Sequence, residues 1–187
     1  MAEAEATGRR HFRLAPSRRS GNIFFGLVLL VLAYFFIVRG VRFFEVPSSS
    51  MEPTLYPGDR ALTINQPSYV RGDIVVLRDP QGGYMVKRVA GIGGDEVAVL
   101  DGALFINGEF ASEPYIQEPM EYLMQPTQVP DGKVLILGDN RNHSEDSSLT
   151  HQTYPVDDII GRLLGIYYPY DRLGMVESYP VATVPLK

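Results

Sequence analysis

Ile23 to Val38 (IFFGLVLLVLAYFFIV) runs for sixteen residues without a charge or a proline. As a helix it covers about 24 Å, a little under the roughly 30 Å hydrocarbon core of a bilayer. Asn22 and Gly40 flank the run, and Arg39 and Arg42 can extend their heads to the far headgroups. A span of about 19 residues is then within reach. No polar face is present that would lay the helix in the interface. A chain of 187 residues also supplies too little protein to bury a helix that is apolar all round. A cleaved leader would end in small residues, whereas this run leads into Arg39-Gly40-Val41-Arg42-Phe43-Phe44. The reading is an uncleaved single-pass anchor over residues 22–40.

Charge orients the anchor. Residues 1–22 hold Arg9, Arg10, Arg13, Arg18 and Arg19 against Glu3 and Glu5, a net +3 that leaves −8 for the rest of a chain totalling −5. Five arginines before the run and two after it predict a cytoplasmic basic tail over 1–21 and an outer body over 41–187. An acidic body argues against a nucleic-acid partner. The absence of cysteine excludes disulfides, thiolate zinc sites, iron–sulfur clusters and a Cys nucleophile. No metal or other cofactor is expected, and the chain is expected to act as a monomer in contact with membrane lipid.

The body reads as mainly β. Eighteen glycines and fourteen prolines favour short strands and turns, and no stretch beyond Phe44 keeps a helical period. Strands are predicted at Asp73–Leu77, Tyr84–Val89, Lys133–Leu137 and Ile159–Tyr168. Glu96–Leu100, the turn Asp101-Gly102 and Ala103–Ile106 form a hairpin signal, with a second turn at Asn107-Gly108. Residues 109–129 are polar, proline-punctuated and weakly patterned; with the hairpin they read as a cover inserted over 97–132.

Four polar segments sit beside apolar strands. Pro47-Ser-Ser-Ser-Met-Glu-Pro-Thr-Leu55 packs hydroxyls between two prolines and can present a nucleophile, although composition alone favours a serine-rich linker. Lys87 is one of three lysines, and alternation puts it on one strand face with Met85 and Val89. Desolvation there would lower its pKa and supply a neutral amine as a base; an ordinary edge lysine is the plainer reading. Gly138-Asp-Asn-Arg-Asn-His-Ser-Glu-Asp-Ser147 follows a strand. It has too little glycine for a phosphate cradle, and Arg141 stands where a calcium loop needs a ligand. Gly91–Asp95 reads as a tight turn.

In this order behind an anchor, these segments resemble the bacterial type I signal peptidases (leader peptidases), membrane serine proteases with a Ser-Lys dyad that remove signal peptides from exported proteins. The family box P-S-x-S-M-x-P-T-L is matched by Pro47–Leu55, and R-G-D-(I/V)-V-x-(F/L)-x-x-P by Arg71–Pro80. The lysine box Y-x-x-K-R-V-x-G-x-P-G-D is matched by Tyr84–Asp95, with Gly93 in place of proline. The box G-D-N-R-x-x-S-x-D-S is matched by Gly138–Ser147, but Ser148 follows where the family usually has arginine.

The resemblance implies a signal-peptidase-like β-sheet catalytic domain, with Ser50 as nucleophile and Lys87 as general base. It further implies Ser48 as an oxyanion donor, Ser144 as the orienter of the lysine, and Arg88, Asp139, Arg141 and Asp146 as a structural charge network. With Ser148 in the arginine's place, Arg88 or Arg141 is expected to partner Asp146. Phe44, Val46, Met51, Leu55, Met85 and Val86 are expected to line shallow pockets for small substrate side chains. The substrates would be signal-peptide-bearing precursors, at a bacterial plasma membrane or, alternatively, a thylakoid membrane. Two other readings differ in kind: a Ser-His-Asp hydrolase using His143 or His151, and an anchored β binding module or inactive relative. Soluble self-cleaving repressors share a Ser-Lys arrangement, but this chain has an apolar run and no DNA-binding segment.

Overall fold

The computed structural model describes residues 18–38, 40–179 and 182–184. A helix α1 (Arg18–Ile37) precedes strands β1 (Arg42–Glu45), β2 (Arg60–Ile64), β3 (Ile74–Arg78) and β4 (Tyr84–Ile92). Strands β5 (Glu96–Leu100), β6 (Ala103–Ile106), β7 (Glu109–Ser112), β8 (Met124–Gln128) and β9 (Lys133–Leu137) come next. One turn of helix, α2 (Ser147–Thr150), leads to β10 (Tyr154–Pro155), β11 (Ile159–Tyr168), β12 (Gly174–Met175) and β13 (Ala182–Val184). Among these residues the body is mainly β, as its period-2 patterning implies.

Gly40, three residues beyond the end of α1, takes a positive φ of 56°. The apolar side chains of α1 are exposed on all sides, Ile23, Leu27, Leu30 and Ile37 among them. Among the described residues no helix is long and apolar enough to cross a membrane. The anchor expected over residues 22–40 is therefore not shown by the described helix, whose uncharged run of sixteen residues covers only about 24 Å. Residues 1–17, most of the expected tail, and Arg39 lie outside the described residues.

Two sheets form the body. The larger has the order β1-β2-β11-β3-β4-β9-β10, with β12 added on β11; the smaller has the order β13-β7-β6-β5-β8. The residues read as a hairpin and cover over 97–132 supply β6, β7, β8 and most of β5 of this second sheet, whose edge strand β13 lies far along the chain. The Asp101-Gly102 and Asn107-Gly108 turns both carry positive φ at their two residues, which closes the β5–β6 and β6–β7 hairpins with the twist that strands prefer.

Alternation distributes the core. On β3, Ile74 and Val76 enter one apolar cluster with Val46, Met51, Leu55 and Val86, while Val75 and Leu77 enter a second with Val89, Ile136 and Tyr154. On β9, Val134 and Ile136 join that second cluster, and Leu135 and Leu137 join a third beneath the smaller sheet. A register shift between Val89 and Gly91 lets β4 turn from one cluster to the next. A Cβ at Gly91 would meet Val97 and Val129, so the two sheets approach through a missing side chain.

Candidate active site

Ser50 lies on a single 3-10 turn, Ser49–Met51, closed by the Glu52 N–H donating to Ser49 O at 3.0 Å. The turn is pinned from beneath, because Met51 and Leu55 are fully buried in the Val46 and Ile74 cluster. From above, the Asn140 N–H donates to Ser50 O at 3.0 Å and Asn140 Nδ2 donates to Ser49 O at 3.2 Å. Asn140, in the polar loop after β9, was not singled out from sequence. Its spacing within the Gly138–Ser147 box was the available signal. The Ser48 hydroxyl donates to Ser50 Oγ at 3.2 Å.

Lys87 sits mid-β4 opposite Val75, and only 4% of it is exposed. Its Nζ donates to Ser144 Oγ at 2.9 Å. Burial pushes the ammonium below the ordinary lysine range, against the opposing pull of the Asp146, Glu145, Asp139 and Asp79 carboxylates. Ser50 and Lys87 line one cavity of about 680 Å³, together with Val46, Ser48, Met51, Met85 and Val86. Among the described residues no hydrogen bond joins Ser50 to Lys87. The ends of the two side chains meet the same space rather than each other.

The charged residues divide into separate pairs. Arg88, 1% exposed, grips Asp139 with Nε at 2.8 Å and Nη2 at 2.7 Å, and donates through Nη1 to Gly72 O. The Thr54 hydroxyl donates to Asp139 at 2.6 Å and so ties this pair to the Ser50 segment. Arg141 forks onto Glu113 at 2.6 and 2.7 Å and donates to Gly138 O at 2.9 Å. The Tyr115 ring stacks 3.9 Å from the Arg88 guanidinium. Glu113 and Tyr115 lie in the weakly patterned segment, and nothing local in the sequence marks them.

Asp146 departs from expectation. Neither Arg88 nor Arg141 reaches it: their forks are already filled by Asp139 and Glu113. Its carboxylate accepts from Gly138 N at 2.8 Å, Ser148 N at 2.9 Å and the Ser148 hydroxyl at 2.7 Å. Ser148 therefore both replaces the arginine and occupies the carboxylate.

Of the six residues expected to line pockets, Val46, Met51, Met85 and Val86 border the cavity. Phe44 lines a neighbouring hollow with Val86 and stacks edge-on against Tyr84, their centroids 5.5 Å apart. Leu55 is 0% exposed and is a core residue, not a lining one. His143 borders the cavity but is exposed, and His151 is an exposed residue that ends α2. Among the described residues neither ring bonds to Ser50, and no cluster of His, Asp or Glu is arranged to hold a metal.

Comparison with known proteins adds an independent line. The family model described as signal peptidase, peptidase S26, matches residues 19–168. A probable signal peptidase I-1 of Synechocystis sp. is 37% identical over 82% of this chain and 83% of its own. A signal peptidase I of Leptolyngbya laminosa is 38% identical over 82% of this chain and 80% of its own. Thylakoidal processing peptidase 1, chloroplastic, of Arabidopsis thaliana is 39% identical over 69% of this chain and 42% of its own.

Proposed function

The chain belongs to the signal peptidase family, peptidase S26, a family of serine endopeptidases that cleave signal peptides from precursor proteins, and on that premise we propose that Ser50 is its nucleophile and Lys87 its general base. The observation that carries this reading is a nearly buried lysine, pushed toward its neutral form, opening on the same cavity as a pinned serine. A neutral Nζ can take the Ser50 proton as Oγ attacks the scissile carbonyl carbon. The Ser48 hydroxyl and the Ser50 backbone N–H then donate to the developing oxyanion. Collapse breaks the C–N bond, the Lys87 ammonium protonates the leaving amine, and an ester on Ser50 remains. Lys87 next takes a proton from water as its oxygen attacks the ester carbon; collapse breaks the bond to Ser50 Oγ, the Lys87 ammonium returns the proton to that oxygen, and the cleaved signal peptide leaves as an acid. Through its hydrogen bond Ser144 holds Nζ on the cavity side of β4.

Specificity follows from the wall. Val46, Met51, Met85 and Val86 leave shallow apolar space that accepts Ala, Gly or Ser before the cut and excludes larger side chains. A hydrophobic surface distinguishes one methylene by only about 1–3 kcal/mol, so exclusion by bulk is the stronger selector. The extended precursor would lie along the edge formed by the segment before Ser50 or by β4.

We further propose that α1 anchors the enzyme in a bacterial plasma membrane or a thylakoid membrane, with the arginine-rich tail in the cytoplasm or its stromal equivalent. Support comes from the exposed apolar side chains of residues 23–38 and the flanking arginines, whose reach would extend this short run. The test is processing of a purified precursor by the detergent-solubilised chain beside its Ser50→Ala and Lys87→Ala forms. Both variants should fold, by circular dichroism, and should cut nothing. Processing by either one at the parent's rate removes that residue from the mechanism. Protease added outside intact spheroplasts should reach residues 41–187 and spare the tail; the opposite labelling refutes the topology.

A further inference from the structure

Among the described residues, the buried carboxylates follow a rule with one exception. Asp59 pairs with Arg172, Asp73 with Arg162, Asp95 with Arg71, Asp139 with Arg88 and Glu113 with Arg141. Asp146 is 1% exposed and, among the described residues, has no cation within ion-pair distance. Its three hydrogen-bond donors are all neutral groups. Lys87 is the matching exception among buried cations: its bond is to the neutral Ser144 hydroxyl. A buried charge without a counter-charge is costly, and here are two such groups of opposite sign: Asp146 on the loop after β9, and Lys87 on β4, bonded to Ser144 of that loop.

The connection is short. Asp146 accepts from the Gly138 N–H, and Gly138 lies flush against the Ser144 side chain that Lys87 bonds. We infer that Asp146 and Lys87 are each other's charge partner across this loop, and that the pairing sets the pH range in which the Ser-Lys dyad works. The inference rests on Lys87 being the general base. Other titratable groups facing Lys87 are Glu145 on the Asp146 loop, Asp79 after β3, and His143 at the cavity edge. Asp139 also acts on it, but is neutralised by Arg88. Glu145 and His143 are exposed, so water weakens their effect. Asp146 is buried, so water screens it less than either of them.

An anion at this position holds the proton on Lys87, which places the acid limb of activity at a higher pH than burial alone would give. Asp146 is thus a positioning residue that acts through Lys87. Had Ser148 been a cation, the carboxylate would be neutralised and the limb would move down.

The experiment is kcat/KM against pH for precursor cleavage by the detergent-solubilised full chain, its Asp146→Asn and Ser148→Arg forms, and a Lys87→Ala control. For either folded variant, activity at the foot of the acid limb, relative to its own plateau, should rise severalfold over the parent. A purely structural role would lower the plateau and leave the limb in place, and that result overturns the inference. Should neither variant fold, the parent decides: its limb should hold position between about 0.05 M and 0.5 M salt, since buried pairs are poorly screened. A limb that moves with salt assigns the control to exposed Glu145 and half-buried Asp79 and overturns the pairing. If Lys87→Ala cleaves as well as the parent, the failure lies with the general base and not with Asp146.

Discussion

Gly138→Ala adds one methyl group at the point where three functional segments converge. The Cβ would collide with Ser144 Oγ and with Ser50 O, and would stand 2.7 Å from Ser144 Cβ. None of these neighbours is a loose side-chain end. Ser50 O accepts from Asn140, and Ser144 Oγ accepts from Lys87. Gly138 φ lies outside the left-handed region, so alanine meets no backbone penalty and the effect is steric alone. Restoring ordinary contact requires a retreat of about 1 Å by the Ser50 turn or by Ser144, and misplacement of that size costs about 100-fold in rate. Overpacking of this kind costs roughly 1–3 kcal/mol in stability. The assay is kcat/KM on a precursor at the plateau pH, with a thermal melt of the same samples. Gly174→Ala serves as the control, because nothing lies within 4 Å of its Cβ position. A Gly138→Ala protein with parental kcat/KM and parental Tm would refute the claim that this close approach positions the dyad.

Lys87→Arg should be inactive at every pH tested, since guanidinium stays protonated. In the parent, activity should fall as pH drops through the Lys87 pKa, at a pH below the ordinary lysine value, because burial disfavours the ammonium. A limb at or above that value would contradict the burial argument. Arg88→Ala should cost about 3–5 kcal/mol in urea unfolding by stranding buried Asp139. Arg60→Ala, at an exposed 3.4 Å pair with Glu45, should cost no more than about 1 kcal/mol; equal losses would show that burial is not the deciding variable. Leu55→Ala should lower stability by about 2–5 kcal/mol without changing which side chains are accepted before the cut. Met85→Ala should admit larger ones, and a precursor series varied at those positions separates the two effects.

Much of the site was legible before any fold was known, because its chemistry is carried by short ordered segments. Ser48 and Ser50 share one turn, and Lys87 was placed by alternation on an apolar strand face that the structure also buries. The hairpins were equally local: Asp-Gly and Asn-Gly determine their own turn geometry whatever surrounds them. The apolar run of α1 announced itself by composition.

What only the tertiary structure decided were the partners. Arg141 lies 28 residues from Glu113, and Arg88 lies 51 from Asp139, separations at which no periodicity survives. Weak patterning over 109–129 concealed two strands of the second sheet, because β7 and β8 draw their order from neighbouring strands rather than from their own alternation. Leu55 and Met51 are both fully buried in one cluster, yet only Met51 also borders the cavity, a difference that the sequence does not mark. The same holds for Asp146: its solitary charge is a consequence of two arginines being occupied elsewhere, and only packing in three dimensions determines which anion each arginine reaches.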